Sequence, residues 1–216
     1  MTMEESKLVV VDDHPLMRQG IIQLLALEPS FNVVGEASNG KDALAVVLEQ
    51  DPDVVLMDLN MKGMDGIESL KLLRENDVAA KIIMFTVSDE NEDVINALRS
   101  GADGYLLKDM EPEDLLDRLR AAITGQMVLS PELMHVLASE LRNDPKVPKE
   151  PEVSSLTKRE KEILKQIAAG QSNKQIGRKF DITEGTVKVH VKNLLKKMNL
   201  RSRVEAAVWA VENKLK

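Results

Sequence analysis

The run Val54-Val55-Leu56-Met57 ends on the carboxylate of Asp58. Consecutive apolar residues without alternation indicate a strand buried on both faces, as in parallel sheets covered by helices on either side. An acid where such a strand emerges is either a turn or cap residue or a functional group. From Lys7 to Lys108, strand-like runs alternate with amphipathic stretches. The strands read as Lys7–Val11, Asn32–Gly35, the Asp53 run, Lys81–Phe85 and Gly104–Leu107. The helices read as Pro15–Leu27, Lys41–Glu49, Ile67–Glu75, about Glu90–Ser100, and Pro112–Thr124, the last opened by a proline suited to a first helical turn. Such alternation predicts an α/β fold, a five-stranded, doubly wound, flavodoxin-like parallel sheet with right-handed crossovers.

The pattern changes after about residue 128. Ser130-Pro-Glu begins a stretch to Leu141 that reads as a connecting helix, and Arg142–Ser154 carries Pro145, Pro148 and Pro151 among charged residues without periodicity. The expected division is 1–128, a linker region 129–154, and a small all-α domain 155–216. Four short helices are expected there: about Lys158–Ala169, Asn173–Phe180, Glu184–Met198 and Arg203–Asn213. Thr157 with Glu160, Ser172 with Gln175 and Ser202 with Glu205 match the capping box, and Asp181-Ile182-Thr183-Glu184 is a weaker start signal. The net charge of -7 hides a division along the same line. Residues 155–216 hold 15 Lys and Arg against 6 Asp and Glu, and the preceding part 14 against 30. A basic end joined to an acidic body points to nucleic acid or another anionic surface as partner. No apolar run approaches the length of a membrane span and the start lacks the layout of a signal peptide, so a soluble, cytoplasmic chain with no membrane partner is expected. The absence of cysteine excludes disulfides, thiolate metal sites and a thiol nucleophile.

In a doubly wound sheet the functional crevice lies beyond the carboxyl ends of the strands. Those ends carry Asp12 and Asp13, Asp58, Thr86 and Lys108. Three carboxylates in one pocket repel unless a cation is present, and an all-oxygen acidic site suits Mg2+. A lysine ammonium and a threonine hydroxyl beside them suit phosphoryl oxygens. Asp58 is then the candidate nucleophile, forming an aspartyl phosphate. Taken singly, Asp58 reads as a cap, Asp12-Asp13 as a solvated turn, Lys108 as a surface residue, Thr86 as a strand-end hydroxyl and Tyr105 as half-buried packing. His14 reads as a surface or cap residue. The convergence of five positions on one edge favours the site.

In the basic domain, Val187, Val191, Leu194 and Met198 form one apolar stripe along Glu184–Met198. The opposite face presents Gly185, Lys188, Val189, Lys192 and Lys196. That face suits the major groove, with Lys188 and Lys192 reaching base edges or phosphates, Val189 a thymine methyl, and Lys196 and Lys197 near the backbone. With Asn173–Phe180 it completes a helix-turn-helix. The alternative is a small basic bundle whose lysines are solvated.

Val10-Val11-Asp12-Asp13-His14, Leu56-Met57-Asp58-Leu59-Asn60-Met61, Phe85-Thr86 and Leu107-Lys108 resemble the receiver domain of two-component response regulators. The resemblance implies that Asp58 takes phosphate from a sensor histidine kinase and that Asp12, Asp13, Asp58 and the Asn60 carbonyl hold Mg2+. It implies that Lys108 and Thr86 contact the phosphoryl group and that Tyr105 rotates when Thr86 moves. Leu156-Thr157-Lys158-Arg159-Glu160, Asn173-Lys174-Gln175-Ile176 and Thr186-Val187-Lys188-Val189-His190 resemble the DNA-binding domain of the LuxR and FixJ groups. There the last helix, here with Val204, Val208 and Trp209, contributes to a homodimer on promoter DNA; Trp209 reads equally as internal core. Over nearly its full length the chain resembles the NarL/FixJ family, and within it the nitrate/nitrite response regulators, which implies a phosphorylation-activated transcription regulator and not an enzyme. Lys62 and Asp109 stand where the wider family has proline, and agree with the narrower group. Two rivals come from other classes. A phosphatase using an aspartyl phosphate wants a second Asp two positions after the nucleophile, where Asn60 stands. A small-molecule-gated regulator of the quorum-sensing type wants an apolar, aromatic-lined pocket, against which 2% aromatic residues argue.

Overall fold

The computed structural model describes residues 5–76, 78–123, 128, 153–171, 173–200 and 202–213. The expected connecting helix Ser130–Leu141, nearly all of the linker after it, and the Ser172 cap lie outside the described residues. Five strands, β1 (Ser6–Val11), β2 (Phe31–Ala37), β3 (Val54–Met57), β4 (Lys81–Thr86) and β5 (Gly104–Leu107), alternate with five helices. These are α1 (Pro15–Ala26), α2 (Gly40–Gln50), α3 (Gly66–Glu75), α4 (Asn91–Arg99) and α5 (Pro112–Ile123). All pairings are parallel and the order is β2-β1-β3-β4-β5. That is the doubly wound arrangement expected from the alternation.

The two-residue period of each strand assigns its side chains to two cores. Val9, Val11, Val55, Met57, Ile82 and Met84 pack with α2, α3 and α4 through Val47, Leu70, Leu73 and Leu98. Leu8, Val10, Val54, Leu56, Ile83 and Phe85 pack on the other face with α1 and α5 through Leu25, Leu115 and Leu119. All four residues of β3 are buried, because helices cover both faces of the central strand. β2 is longer than expected, since Glu36 and Ala37 continue the ladder against Val10 and Val11 after a register shift at Leu8/Val9.

The C-terminal part is all helical: α6 (Lys158–Ala168), α7 (Asn173–Phe180), α8 (Glu184–Met198) and α9 (Arg203–Glu212). Thr157 and Glu160 form a full capping box, in which hydroxyl and carboxylate each accept a free backbone N–H. Thr183 caps α8 by accepting from Thr186 N, and Ser202 caps α9 by accepting from Glu205 N. Between α7 and α8 the chain reverses at Asp181, whose φ is 55°, and Ile182 N donates to the Gly177 carbonyl at 3.0 Å. A Cβ at Gly177 would lie 2.7 Å from the Ile182 carbonyl oxygen, so this tight turn requires glycine. The stripe Val187, Val191, Leu194 and Met198 is buried against Ile163, Leu164 and Ile176.

The helical domain sits against the N-terminal edge of the sheet, opposite the edge that carries Asp58. Val204 and Val208 of α9 are buried with the core of the first domain rather than displayed for a second copy. A dimer through these residues therefore requires that they first leave the sheet edge. Trp209 packs in part against the core of its own domain.

Gly66 opens α3 where a Cβ would lie 2.3 Å from the Asp58 carbonyl oxygen and 2.7 Å from Leu59 Cα. Alanine ordinarily stabilises a helix by about 0.5–1 kcal/mol over glycine. Here the clash is with backbone, and overpacking costs about 1–3 kcal/mol. Gly66→Ala is expected to lower the urea midpoint of the chain, whereas equal or higher stability would show that the loop after β3 yields freely.

Candidate functional site

β1 and β3 are neighbours, and Asp58 N continues their ladder by donating to the Val11 carbonyl at 2.8 Å. The carboxylates that follow the two strands therefore emerge side by side. Asp12, Asp58 and Thr86 are all buried. The Lys108 side chain, after β5, reaches across with Nζ 2.8 Å from Asp12 Oδ2 and 3.0 Å from Asp58 Oδ2. Burial pushes the Asp58 carboxyl up from its ordinary pKa, and the hydrogen bond and charge of Lys108 oppose that rise. Nearby, Asn60 N approaches Asp58 Oδ1 at 3.4 Å.

Asp12 Oδ1 accepts from His14 N at 2.7 Å, and Asp13 Oδ2 accepts from Lys62 N at 3.1 Å. His14 occupies the N-cap position of α1 without a capping bond, largely exposed, with Nδ1 2.9 Å from Asp13 Oδ1. Asp13 Oδ1 is itself buried and accepts no well-formed hydrogen bond. Ligand atoms of Asp12, Asp13, Asp58 and His14 lie within 4.8 Å of one another. With Lys108 compensating only part of three carboxylates, and Asp13 Oδ1 approached by the exposed His14 imidazole without a well-formed hydrogen bond, these residues fit a divalent cation with oxygen ligands.

A second group of contacts leads away from the acids. Thr86 Oγ1 accepts from Ser88 N at 3.2 Å and lies 3.4 Å from Asn60 Nδ2. The Ser88 carbonyl accepts from the Tyr105 hydroxyl at 3.0 Å. The backbone of Ser88 thus links the Thr86 hydroxyl to Tyr105 in two hydrogen bonds. Tyr105 is buried, which pushes its phenol up to about 12, so it acts as a neutral donor. Lys108 N donates to the Thr86 carbonyl at 2.8 Å, which holds the ends of β4 and β5 together. Ser88 carried no signal in the sequence, because its role depends on backbone groups that every residue possesses.

On α8, Thr186, Val189, Lys192 and Lys196 are exposed and Lys188 is half-buried. The 56% exposure of Val189 is large for an apolar side chain in the middle of a packed helix. Lys188 lines a crevice with Lys7, Asp53 and Lys81 of the first domain, so this face of α8 looks at the sheet edge. Lys197, expected near a nucleic-acid backbone, has Nζ 2.9 and 2.8 Å from the two carboxylate oxygens of Glu160. Burial raises the Glu160 pKa, but its bonds from Lys197 and Thr157 outweigh that and hold it below the usual range. Lys197 therefore ties α8 to the capping box of α6, a structural duty that helical spacing alone does not reveal.

Removing one partner of a buried ion pair costs about 3–5 kcal/mol, because the remaining charge is left uncompensated. Lys108→Met is expected to destabilise the chain by about that amount at neutral pH, measured by urea unfolding. Asp58 already has a raised pKa and would rise further without the ammonium. Its cost is present when it is ionised and disappears as pH falls through that pKa, so the deficit of the variant should narrow at acidic pH. A deficit independent of pH would mean that packing, not charge, is lost.

The sequence was compared with known proteins and families. Residues 8–120 match the response regulator receiver domain, and residues 154–210 match the bacterial regulatory proteins of the luxR family. The nitrate/nitrite response regulator protein NarL of Escherichia coli K12 is 53% identical over 212 residues, covering 98% of each chain. NarP of the same organism is 46% identical, covering 96% of this chain and 95% of NarP. Among solved structures, the response regulator ChrA of a heme-sensing two-component system is 31% identical, with a TM-score of 0.51, over 98% of this chain and 99% of ChrA. A receiver domain occupies the place where a small-molecule-gated regulator would need its ligand pocket. The chain belongs to the two-component response regulators, phosphorylation-controlled transcription regulators in which a receiver domain precedes a LuxR-family DNA-binding domain.

Proposed function

We propose that Asp58 is the phosphoacceptor and that its phosphorylation frees α8 from the sheet edge to bind promoter DNA. The observation that carries this reading is the convergence of Asp12, Asp13, Asp58 and Lys108, with the basic helix held against the opposite end of the same sheet. A carboxylate oxygen of Asp58 attacks the phosphorus of a phosphohistidine on a sensor kinase; the P–N bond breaks and its electron pair returns to the imidazole. Asp12, Asp13, Asp58 and the Asn60 carbonyl would hold Mg2+, which would supply charge compensation for the incoming phosphoryl oxygens. Lys108 exchanges part of its pairing with Asp58 for a phosphoryl oxygen. Thr86 turns its hydroxyl to another, giving up the bond from Ser88 N, and the Ser88 link passes that movement to Tyr105.

The DNA-binding residues are Lys188, Val189, Lys192, Lys196 and Thr186, with Lys188 and Val189 set to reach base edges. Opening also uncovers Val204 and Val208, which with Trp209 provide the dimer contact on DNA. Domain limits of 1–128 and 155–216 agree with the matched spans, leaving 129–154 as the connection. Relatives named for nitrate and nitrite at 53% and 46% identity favour that signal, sensed by the partner kinase. A cytoplasmic regulator without enzymatic turnover is the corresponding role, and among the described residues no helix is long and apolar enough to cross a membrane.

Two measurements test this. With Mg2+ and a small phosphodonor such as acetyl phosphate, the chain should gain the mass of one phosphoryl group and Asp58→Asn should gain none; equal labelling would place the acceptor elsewhere. Mg2+ should also raise the melting temperature of the unmodified chain, by up to ~2.7 kcal/mol of stabilisation at a hundredfold excess over Kd, and much less in Asp12→Asn.

For the second domain, Lys188→Ala should relax sequence discrimination and cost about 1–3 kcal/mol of specific affinity. Lys196→Ala should instead weaken binding to all sequences and flatten the salt dependence by about one counterion. Both are read by gel shift of the phosphorylated chain at several salt concentrations. The opposite assignment of effects would move the base-reading role to the C-terminal end of α8.

A further inference from the structure

The crevice between the two domains has an unusual balance of charge. One cavity there, about 390 Å3, is lined among the described residues by six cations, Arg74 and Lys81 from the receiver and Lys188, Lys192, Lys196 and Arg203 from the helical domain, whereas the adjoining cavity pairs Lys81 and Lys188 with Glu5, Asp53 and Glu184. Asp103 is the single carboxylate on the lining of the first. It is already engaged, since Oδ2 accepts from Arg74 Nη2 at 2.5 Å and from Ile82 N at 2.9 Å. The volume falls within the range of about 300–1,000 Å3 typical of small-molecule pockets. Val78, Val191 and Leu195 supply an apolar wall.

Two of the cations are half-buried against neutral acceptors. Arg203 donates to Asn173 Oδ1 at 2.8 Å and to the Gln171 carbonyl, and Lys81 Nζ donates to the Ala122 carbonyl. Lys81 is the residue common to the main cavity and the two smaller ones of about 60 and 270 Å3 beside it, and Arg203 lines two of the three. Burial, then the charge of Arg203, pulls Lys81 down to about 8, even though Asp103, Asp53 and Glu184 act in the opposite direction. Burial likewise pulls Arg203 down to about 10. Cations so placed hold positive charge that neighbouring groups compensate only in part, and an entering anion with several oxygens would complete the pairing.

We propose that the interdomain crevice is a binding site for a small anion carrying two or more phosphate groups, which bridges Lys81 of the receiver to Arg203 and Lys188 of the DNA-binding domain. Such a ligand would fasten the domains together and occupy lysines of the DNA-binding face. It would therefore oppose DNA binding by a route independent of Asp58.

The probe is inorganic tripolyphosphate, titrated into the unphosphorylated full chain without divalent cations at constant ionic strength. Binding is read by calorimetry and by Trp209 fluorescence, since Trp209 lies on the same helix as Arg203. One saturable site is expected, with sulfate at the same ionic strength failing to compete. Lys81→Met, which removes a half-buried cation and should retain the fold, and Lys188→Gln on the opposite wall should each weaken binding about tenfold. Lys71→Met, on the exposed face of α3, should leave it unchanged. Unchanged affinity in Lys81→Met would overturn the proposal, because the anion would then sit on the DNA-binding face alone. Equal displacement by sulfate, or no saturable binding, would overturn it as well. A parallel titration with ATP distinguishes the sources: tighter binding than tripolyphosphate would mean that the apolar wall receives a nucleotide base, and equal binding that the phosphate chain alone is recognised.

Discussion

Lys108 stands between two buried carboxylates, and the receiver end of the molecule is arranged around that ammonium. It lies 2.8 Å from Asp12 and 3.0 Å from Asp58. Burying three such groups is costly unless each is paired, so the strands that carry them must end at the same level. The parallel register meets that need, for Val11 aligns with Met57 and Thr86 with Leu107. The pairing is incomplete, since one ammonium faces three carboxylates and Asp13 Oδ1 accepts no well-formed hydrogen bond. A pocket with this deficit has the charge and the oxygen ligands that suit a divalent cation.

Much of this could be read from the chain itself. β3 announced itself by four apolar residues with no alternation, and Asp58 by its place at the end of them. The pocket followed once the topology was known, because a doubly wound sheet delivers its strand ends to one edge whatever the loops do. The caps at Thr157 and Ser202 were visible for a similar reason, being local chemistry at fixed spacing. Lys197 was not legible: helical spacing placed it with the DNA-facing lysines, but its partner Glu160 is 37 positions away and comes near only when α6 packs on α8. Ser88 was silent because its backbone makes the connection. Val204 and Val208 were read as dimer contacts from the resemblance, whereas in the closed chain they are buried with the receiver core, a contact between domains that no local pattern signals.

The surface that the helical domain buries in the closed chain lies at the end of the sheet opposite Asp58. Neither α8 nor α9 touches the acidic pocket. What they touch is the opposite edge, at Lys7, Asp53, Lys81 and Asp103, which precede the strands whose far ends carry Asp12, Asp58, Thr86 and Lys108. Each strand is only four to seven residues long and packed on both faces, so it transmits displacement poorly along its own length but resists tilting against its neighbours. β4 and β5 are held together at the acidic end, where Lys108 N meets the Thr86 carbonyl, and β4 starts at Lys81 on the docking edge.

The closed arrangement also has to be weak enough to open, and its chemistry accounts for that. Val204 and Val208 contribute burial of about 1.5–3 kcal/mol each if fully transferred from water. Against them stand Lys81 and Arg203, which donate to carbonyl and amide oxygens and whose desolvation the nearby carboxylates offset only in part. A purely apolar joint at the same place would favour closure too strongly for one phosphate to reverse, since a ligand shifts a two-state equilibrium only by its differential interaction with the two states. Cations at the joint lower that margin, because part of their charge stays uncompensated while the domains are closed. The half-buried cations Lys81 and Arg203, one from each domain, thus work against the apolar contact of Val204 and Val208 and keep the docking reversible.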